Sequence, residues 1–184
     1  MNVTTGTKRK QVIKAIQCAV GLVLAWAGLM THTMSAHAQE LTNEQKAFVD
    51  EFYIIAITNA AEHDIPWQVP MAQAIVESTH GTSYAAEKRH NFHGIGKLAY
   101  ETDADGWAGY FTLITEFKDG HYVKHGALEH LDDPYSYLDS LLDAGYNPNK
   151  DKYRHDISCY IDGVEKYRLE QGWPTSAEVK QAAL

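Results

Sequence analysis

The chain has 184 residues, 45% of them hydrophobic and 22% charged, with a formal net charge of −8. This acidic balance argues against nucleic acid as a partner, whose phosphates would repel it, and against tight binding to anionic lipid. Only Cys18 and Cys159 carry thiols, too few for a disulfide framework.

The N-terminus has the three parts of a secretory signal peptide. Lys8, Arg9, Lys10 and Lys14 form a basic start, Ala15 to Met30 is mostly apolar, and Ser35-Ala36-His37-Ala38 supplies small residues around a cut after Ala38. The apolar run is shorter than the roughly 20 residues of a membrane span. Cleavage is therefore favoured over anchoring, and residues 1–38 are expected to leave. Cys18 lies within the run, ahead of the cut, and is not read as a lipid-attachment site. The mature chain would be residues 39–184, one domain with one core. Loss of the four basic residues takes its net charge from −8 to −12. Cys159 is expected to be a buried, small apolar residue without chemistry.

From Thr42 the chain reads as helical. Thr42-Asn43-Glu44-Gln45 has a capping-box pattern, and Phe48, Phe52, Ile55 and Ile57 give a broadly helical apolar face to about Glu62. Asp64-Ile65-Pro66 breaks the helix. A second helix is predicted from about Val69 to Ser78, apolar nearly all round and so buried, with Gly81 available to end it. Tyr84 to Lys88 adds a short helical turn.

The pattern then changes. Asp103-Ala104-Asp105-Gly106 and Asp119-Gly120 punctuate short runs. Tyr110 to Phe117, rich in aromatic and β-branched residues, predicts a strand. Lys118-Asp119-Gly120-His121 predicts a hairpin turn and His121-Tyr122-Val123 the return strand. Helices resume over Tyr135–Ala144, closed by Gly145, and over Tyr153–Gln171, with Ile157, Ile161 and Val164 on one face and Trp173-Pro174 beyond. A further turn is expected from Ser176. The predicted fold is mainly α (α+β), with a small β-hairpin lobe.

Glu77 is the first candidate for chemistry. It stands near the end of the apolar helix, in Ala72-Gln73-Ala74-Ile75-Val76-Glu77-Ser78. A carboxyl among apolar neighbours loses hydration, so its pKa rises and it can stay protonated near neutral pH. A glycosidase acid needs this. The plain alternative is a helix-end glutamate facing water.

The run AQAIVESTHGTS resembles the AQAILESGWGTS signature of the family 73 glycoside hydrolases, bacterial endo-β-N-acetylglucosaminidases that include autolysins and the flagellar muramidase domain. Further segments are similar in the same order. Asn91-Phe92-His93-Gly94-Ile95 resembles NLFGI, and Trp107-Ala108-Gly109 resembles W-x-G. Thr115-Glu116-Phe117-Lys118-Asp119-Gly120 resembles T-E-Y-x-x-G, and Gly145-Tyr146 resembles the start of GYATD. Together they cover about Thr42 to Leu169.

The resemblance implies a lysozyme-like α lobe facing the β-hairpin lobe across a cleft, and peptidoglycan glycan strands as substrate. It implies Glu77 as the proton donor and Glu116 as a second carboxylate, either a water-activating base or a charge stabiliser for attack by the substrate's own N-acetyl group. Glu101, Asp103 and Asp105 are rival second carboxylates. Tyr146 falls at the family tyrosine that would orient the acetamido group or the acid. The segment after it, Asn147-Pro148-Asn149-Lys150, departs from the family, which makes Tyr153 a substitute. His80 stands where the family has tryptophan, and His93 where it has phenylalanine. His80, Asn91, Trp107 and Tyr153 are the candidate substrate contacts, with Trp107 as a stacking surface.

No cofactor is expected. His90 and His93, and His121 and His125, invite a zinc site, but His121 follows a turn signal and no His-Glu-x-x-His occurs, so no metal is assigned. The expected protein is an exported monomer of the periplasm, cell wall or extracellular space. A wall-spanning assembly is its second partner class. Competing readings are a lytic transglycosylase or muramidase on the same fold, although no Gly-Leu-Met-Gln run follows the glutamate, and a non-catalytic peptidoglycan-binding or assembly protein.

Overall fold

The computed structural model describes residues 39–116, 120–126, 129 and 133–183. The predicted signal peptide lies outside these residues, as do Phe117, Lys118 and Asp119.

The first helix, α1 (Asn43–His63), begins where the capping box predicted. The Gln45 N–H donates to Thr42 Oγ1 at 3.3 Å, and the Thr42 N–H donates to Gln45 Oε1 at 2.9 Å. Asp64 closes α1 in the left-handed region, with φ 53°. Phe48, Phe52, Ala56 and Ile57 recur at helical spacing and face the core. The second helix, α2 (Gln68–Glu77), is buried on nearly every side from Val69 to Ile75. It runs against α7 (Lys150–Gln171) and also touches α1 and α6 (Pro134–Asp143). A central helix needs no polar face, which explains its sequence.

The short helix α3 (Tyr84–Arg89) is capped by Ser83, whose Oγ accepts from the Ala86 N–H at 3.2 Å. At the C-terminal end, α8 (Ser176–Ala182) has its own capping box from Thr175 and Glu178 and packs on α1. At the start of the described residues, the Gln39 N–H donates to the Cys159 carbonyl on α7 at 3.2 Å. Cys159 itself is a free, partly exposed thiol, so the expectation of full burial is corrected.

The β-hairpin lobe is the main correction. Residues Asp103–Glu116 form α4 and His121–Lys124 form the single turn α5, and no strand occurs among the described residues. Asp103 and Asp105 do not punctuate a loop: they stand in the first turn of α4, where the helix dipole favours acid. Trp107, Tyr110, Phe111 and Ile114 are fully buried and spaced i, i+3, i+4, i+7, the helical period. A run of aromatic and β-branched residues suggested a strand by composition, but the spacing of the buried ones obeys the helix.

Two glycines let α4 approach its neighbours. A Cβ at Gly106 would lie 1.7 Å from the His90 carbonyl oxygen, and one at Gly109 would lie 2.5 Å from the Tyr100 ring. The W-x-G motif is thus a packing device here. Because α5 is helical, His121 and His125 do share a face, with ring centroids 4.8 Å apart. His121 Nε2 donates to the Ala144 carbonyl at 2.7 Å.

Candidate active site

Glu77 is the last residue of α2 and is half-buried. Burial pushes its carboxyl above the usual carboxylate range, while a hydrogen bond from Tyr153 pulls in the opposite direction. The chain turns sharply behind it. Ser78 Oγ donates to the Ala74 carbonyl at 2.5 Å and accepts from the Gly81 N–H at 2.7 Å. Thr79 and His80 both have positive φ, 52° and 45°. For a β-branched threonine that conformation costs on the order of 1 kcal/mol, so the surrounding bonds must hold the turn in place.

The loop 94–99 approaches the acid from another side. Gly94 has φ +63°, and a Cβ there would sit 3.0 Å from Glu77 Oε2. Asn91 holds this loop in shape. Its Oδ1 accepts from the Ile95 N–H at 2.9 Å, and its Nδ2 donates to the Ile95 and Leu98 carbonyls at 3.2 and 3.1 Å.

Behind Glu77 lies a layer of phenols, Tyr110 and Tyr153 buried and Tyr146 half-buried. Tyr153, from α7, is hydrogen-bonded to Glu77 and to Tyr146. The Tyr146 ring is 6.0 Å from that of Tyr153 and 6.4 Å from that of Tyr110. Burial, with Glu77 nearby, keeps the Tyr146 and Tyr153 hydroxyls protonated. Gln73, one helical turn before Glu77, has no exposed surface. Its Nε2 donates to the Tyr153 oxygen at 3.3 Å, and its Oε1 accepts from the Tyr110 hydroxyl at 2.6 Å.

His93 lies flat on Tyr110 at 4.2 Å and donates from Nε2 to the Pro70 carbonyl at 3.1 Å. Burial pushes its pKa down to about 3, so the ring is neutral. Histidine at this position fills an aromatic slot in the core.

The structure therefore brings Tyr146 and Tyr153 to Glu77 and leaves other sequence candidates elsewhere. Glu116 is not on a strand; it is the exposed last residue of α4 and is outside the hydrogen-bonded group around Glu77 among the described residues. Trp107 is fully buried against Phe52, Phe92 and His93 and offers no face to a sugar, which corrects its reading as a stacking surface. Asn91 is 2% exposed and its amide is committed to the loop. His80 is accessible and borders a groove of about 670 Å³ whose walls include Glu44, Glu51, Glu87 and His90. Of the rival carboxylates, Asp103 contacts His90 Nδ1 at 2.6 Å, Asp105 accepts from the Thr102 hydroxyl at 2.7 Å, and Glu101 is exposed. Gln73, Tyr110 and Gly94 were not singled out by sequence. One signal existed for Gln73, a polar residue on an otherwise apolar helix four positions before the acid.

The model of the glucosaminidase family, described as mannosyl-glycoprotein endo-β-N-acetylglucosaminidase, matches residues 54–166. The chain belongs to this family. It is therefore a glycoside hydrolase, and the family resemblance of the motifs around Glu77 is accounted for. Among solved structures, the chain is similar to the catalytic domain of the autolysin Auto from Listeria monocytogenes. The TM-score is 0.57 at 15% identity, covering 94% of this chain and 99% of that chain. That likeness concerns the fold. A search of the curated proteins found no match. Among the described residues, no group of three or more His, Cys, Asp or Glu side chains could hold a metal ion.

Proposed function

We propose that this glucosaminidase-family chain is an exported peptidoglycan hydrolase. It would cleave the β-1,4 glycosidic bonds of the glycan strand as an endo-β-N-acetylglucosaminidase, with Glu77 as general acid. The observation that carries this reading is the half-buried Glu77 carboxyl, raised by desolvation and backed by Tyr153 at the end of an apolar helix. A protonated carboxyl there can deliver its proton to the leaving glycosidic oxygen. Similarity in fold to an autolysin's catalytic domain favours bacterial wall as the source of that bond.

Tyr146, hydrogen-bonded to Tyr153 and partly exposed, would orient the substrate's acetamido group. Glu116 is accessible at the end of α4 and is the candidate base for an inverting route. A substrate-assisted route would leave Glu116 dispensable. His80 is the accessible candidate for a sugar contact.

The test uses purified peptidoglycan and mass spectrometry of the products. The wild type should release fragments with reducing N-acetylglucosamine ends, and Glu77→Gln should release them at least about a hundredfold more slowly while still binding wall. Reducing muramic ends would make it a muramidase, and anhydro ends a lytic transglycosylase. Release unchanged in Glu77→Gln would overturn the assignment of the acid. Export through residues 1–38 is part of the same proposal; N-terminal sequencing of protein recovered outside the cytoplasm should begin at Gln39.

A further inference from the structure

We propose that Gln73 is a positioning residue for Glu77: its amide, fixed by Tyr110, donates to the Tyr153 oxygen and turns the Tyr153 hydroxyl proton toward the Glu77 carboxyl. The inference rests on the reading of Glu77 as the working acid.

The geometry leaves little freedom. Gln73 and Glu77 are four residues apart on α2 and therefore share a helix face. The amide is fully buried and cannot exchange its partners for water. Its oxygen is taken by the Tyr110 hydroxyl at 2.6 Å, so its nitrogen must face the other phenol, Tyr153, at 3.3 Å. Tyr110 is itself fully buried on α4, and it holds the amide in one orientation. The Tyr153 oxygen thus receives a proton from Gln73 Nε2, and Tyr146 is hydrogen-bonded to the same hydroxyl. A phenol oxygen so supplied with donors has its own proton left to give. Its remaining neighbour is Glu77.

The chemical consequence concerns the acid after it has delivered its proton. The Glu77 anion is left in a partly desolvated place, at a helix C-terminus whose dipole disfavours negative charge. A hydroxyl already pointed at it stabilises that anion without reorganisation. Successive hydrogen bonds from Tyr110 through Gln73 to Tyr153 polarise one another and strengthen the last one. Removing the amide would free the Tyr153 oxygen to accept the proton of neutral Glu77, which favours the protonated form.

The experiment titrates the Glu77 side-chain carboxyl by carbon-13 NMR, with Glu77→Gln identifying its resonance. Gln73→Met keeps the side chain's volume and removes its hydrogen bonding. Its titration midpoint should rise by about half to one pH unit, and the alkaline limb of kcat/KM should move with it. Tyr153→Phe should raise the midpoint too, and the double variant should add nothing to Tyr153→Phe, because Gln73 acts through that hydroxyl. A midpoint unmoved in Gln73→Met, or shifts that simply add, would overturn the proposal. Should Gln73→Met fail to fold, Tyr110→Phe frees the amide oxygen; a smaller rise supports the relay and no rise overturns it. The catalytic reading fails separately, if Glu77→Gln still cuts glycan whatever the titrations show.

Discussion

Two glutamates in this chain end helices, and their surroundings differ. Glu77 closes α2, which is buried on almost every side, and Glu116 closes α4, which is buried along one stripe. Past Glu77 the chain folds back, and a second loop lays Gly94 against its carboxyl. Glu116 stays exposed. A helix C-terminus is a poor place for a carboxylate in either case. Only at Glu77 do neighbouring layers remove water as well, so the carboxyl's hold on its proton is made by α7 and the Asn91 loop as much as by α2.

The sharpest way to break this comparison is to neutralise each glutamate. Glu77→Gln should lower glycan cleavage by roughly 10²–10⁴-fold, measured by release of reducing ends, with circular dichroism unchanged. Glu116→Gln separates the two routes: a loss as large as that of Glu77→Gln would make Glu116 the base of an inverting route, and release near wild type would favour the substrate-assisted one.

Next in size is the anchoring of α4. Gly106→Ala puts a methyl into the His90 carbonyl and should cost about 3 kcal/mol, read as a lower denaturant midpoint. Wild-type stability there would mean that the segment is not held as this helix. Gly94→Ala combines a left-handed backbone with crowding of Glu77 Oε2. It should cost about 1–2 kcal/mol and reduce turnover on the order of tenfold by displacing the acid. Full activity in that variant would show the loop to be irrelevant to the carboxyl's position.

The smallest expected effect is on stability against pH. The folded-state pKa of Glu77 lies above its ordinary value, so its contribution is fully present below the ordinary carboxylate range and is lost as pH rises through the folded pKa. Glu77→Gln should therefore gain melting temperature over wild type at neutral pH, and the gain should vanish in acid. Glu116→Gln should change stability by less than about 0.5 kcal/mol, as surface substitutions do.

How much of this could be read from the sequence follows the range of the forces involved. The capping box at Thr42 and the largely apolar α2 are local patterns, and both helices appear where those patterns placed them. The Asp-Gly cluster and the run Tyr110 to Phe117 also form a local pattern, and it misled. Composition suggested strand, while the contacts that decide the matter join Gly106 to His90 and Gly109 to Tyr100 across the fold. Glu77 could be picked out because its own helix is apolar, and Tyr146 and Tyr153 lie beside it. Trp107 could not be told from a surface aromatic, since its burial depends on Phe52, Phe92 and His93. Gln73 shows in the sequence only as a polar residue on an apolar helix, because its two partners come from α4 and α7.

His93 carries one more consequence. Its ring resists a proton down to about 3, whereas an unfolded chain takes one up near 6.5. Acidification below that point rewards unfolding, by at most roughly 1.4 kcal/mol for each pH unit. A rise in pH through the carboxylate range works against the fold through Glu77, and a fall below about 6.5 works against it through the His93 imidazole. Phenylalanine in place of the imidazole should remove the His93 loss alone and leave that of Glu77, visible as a flatter melting profile between pH 6 and 4.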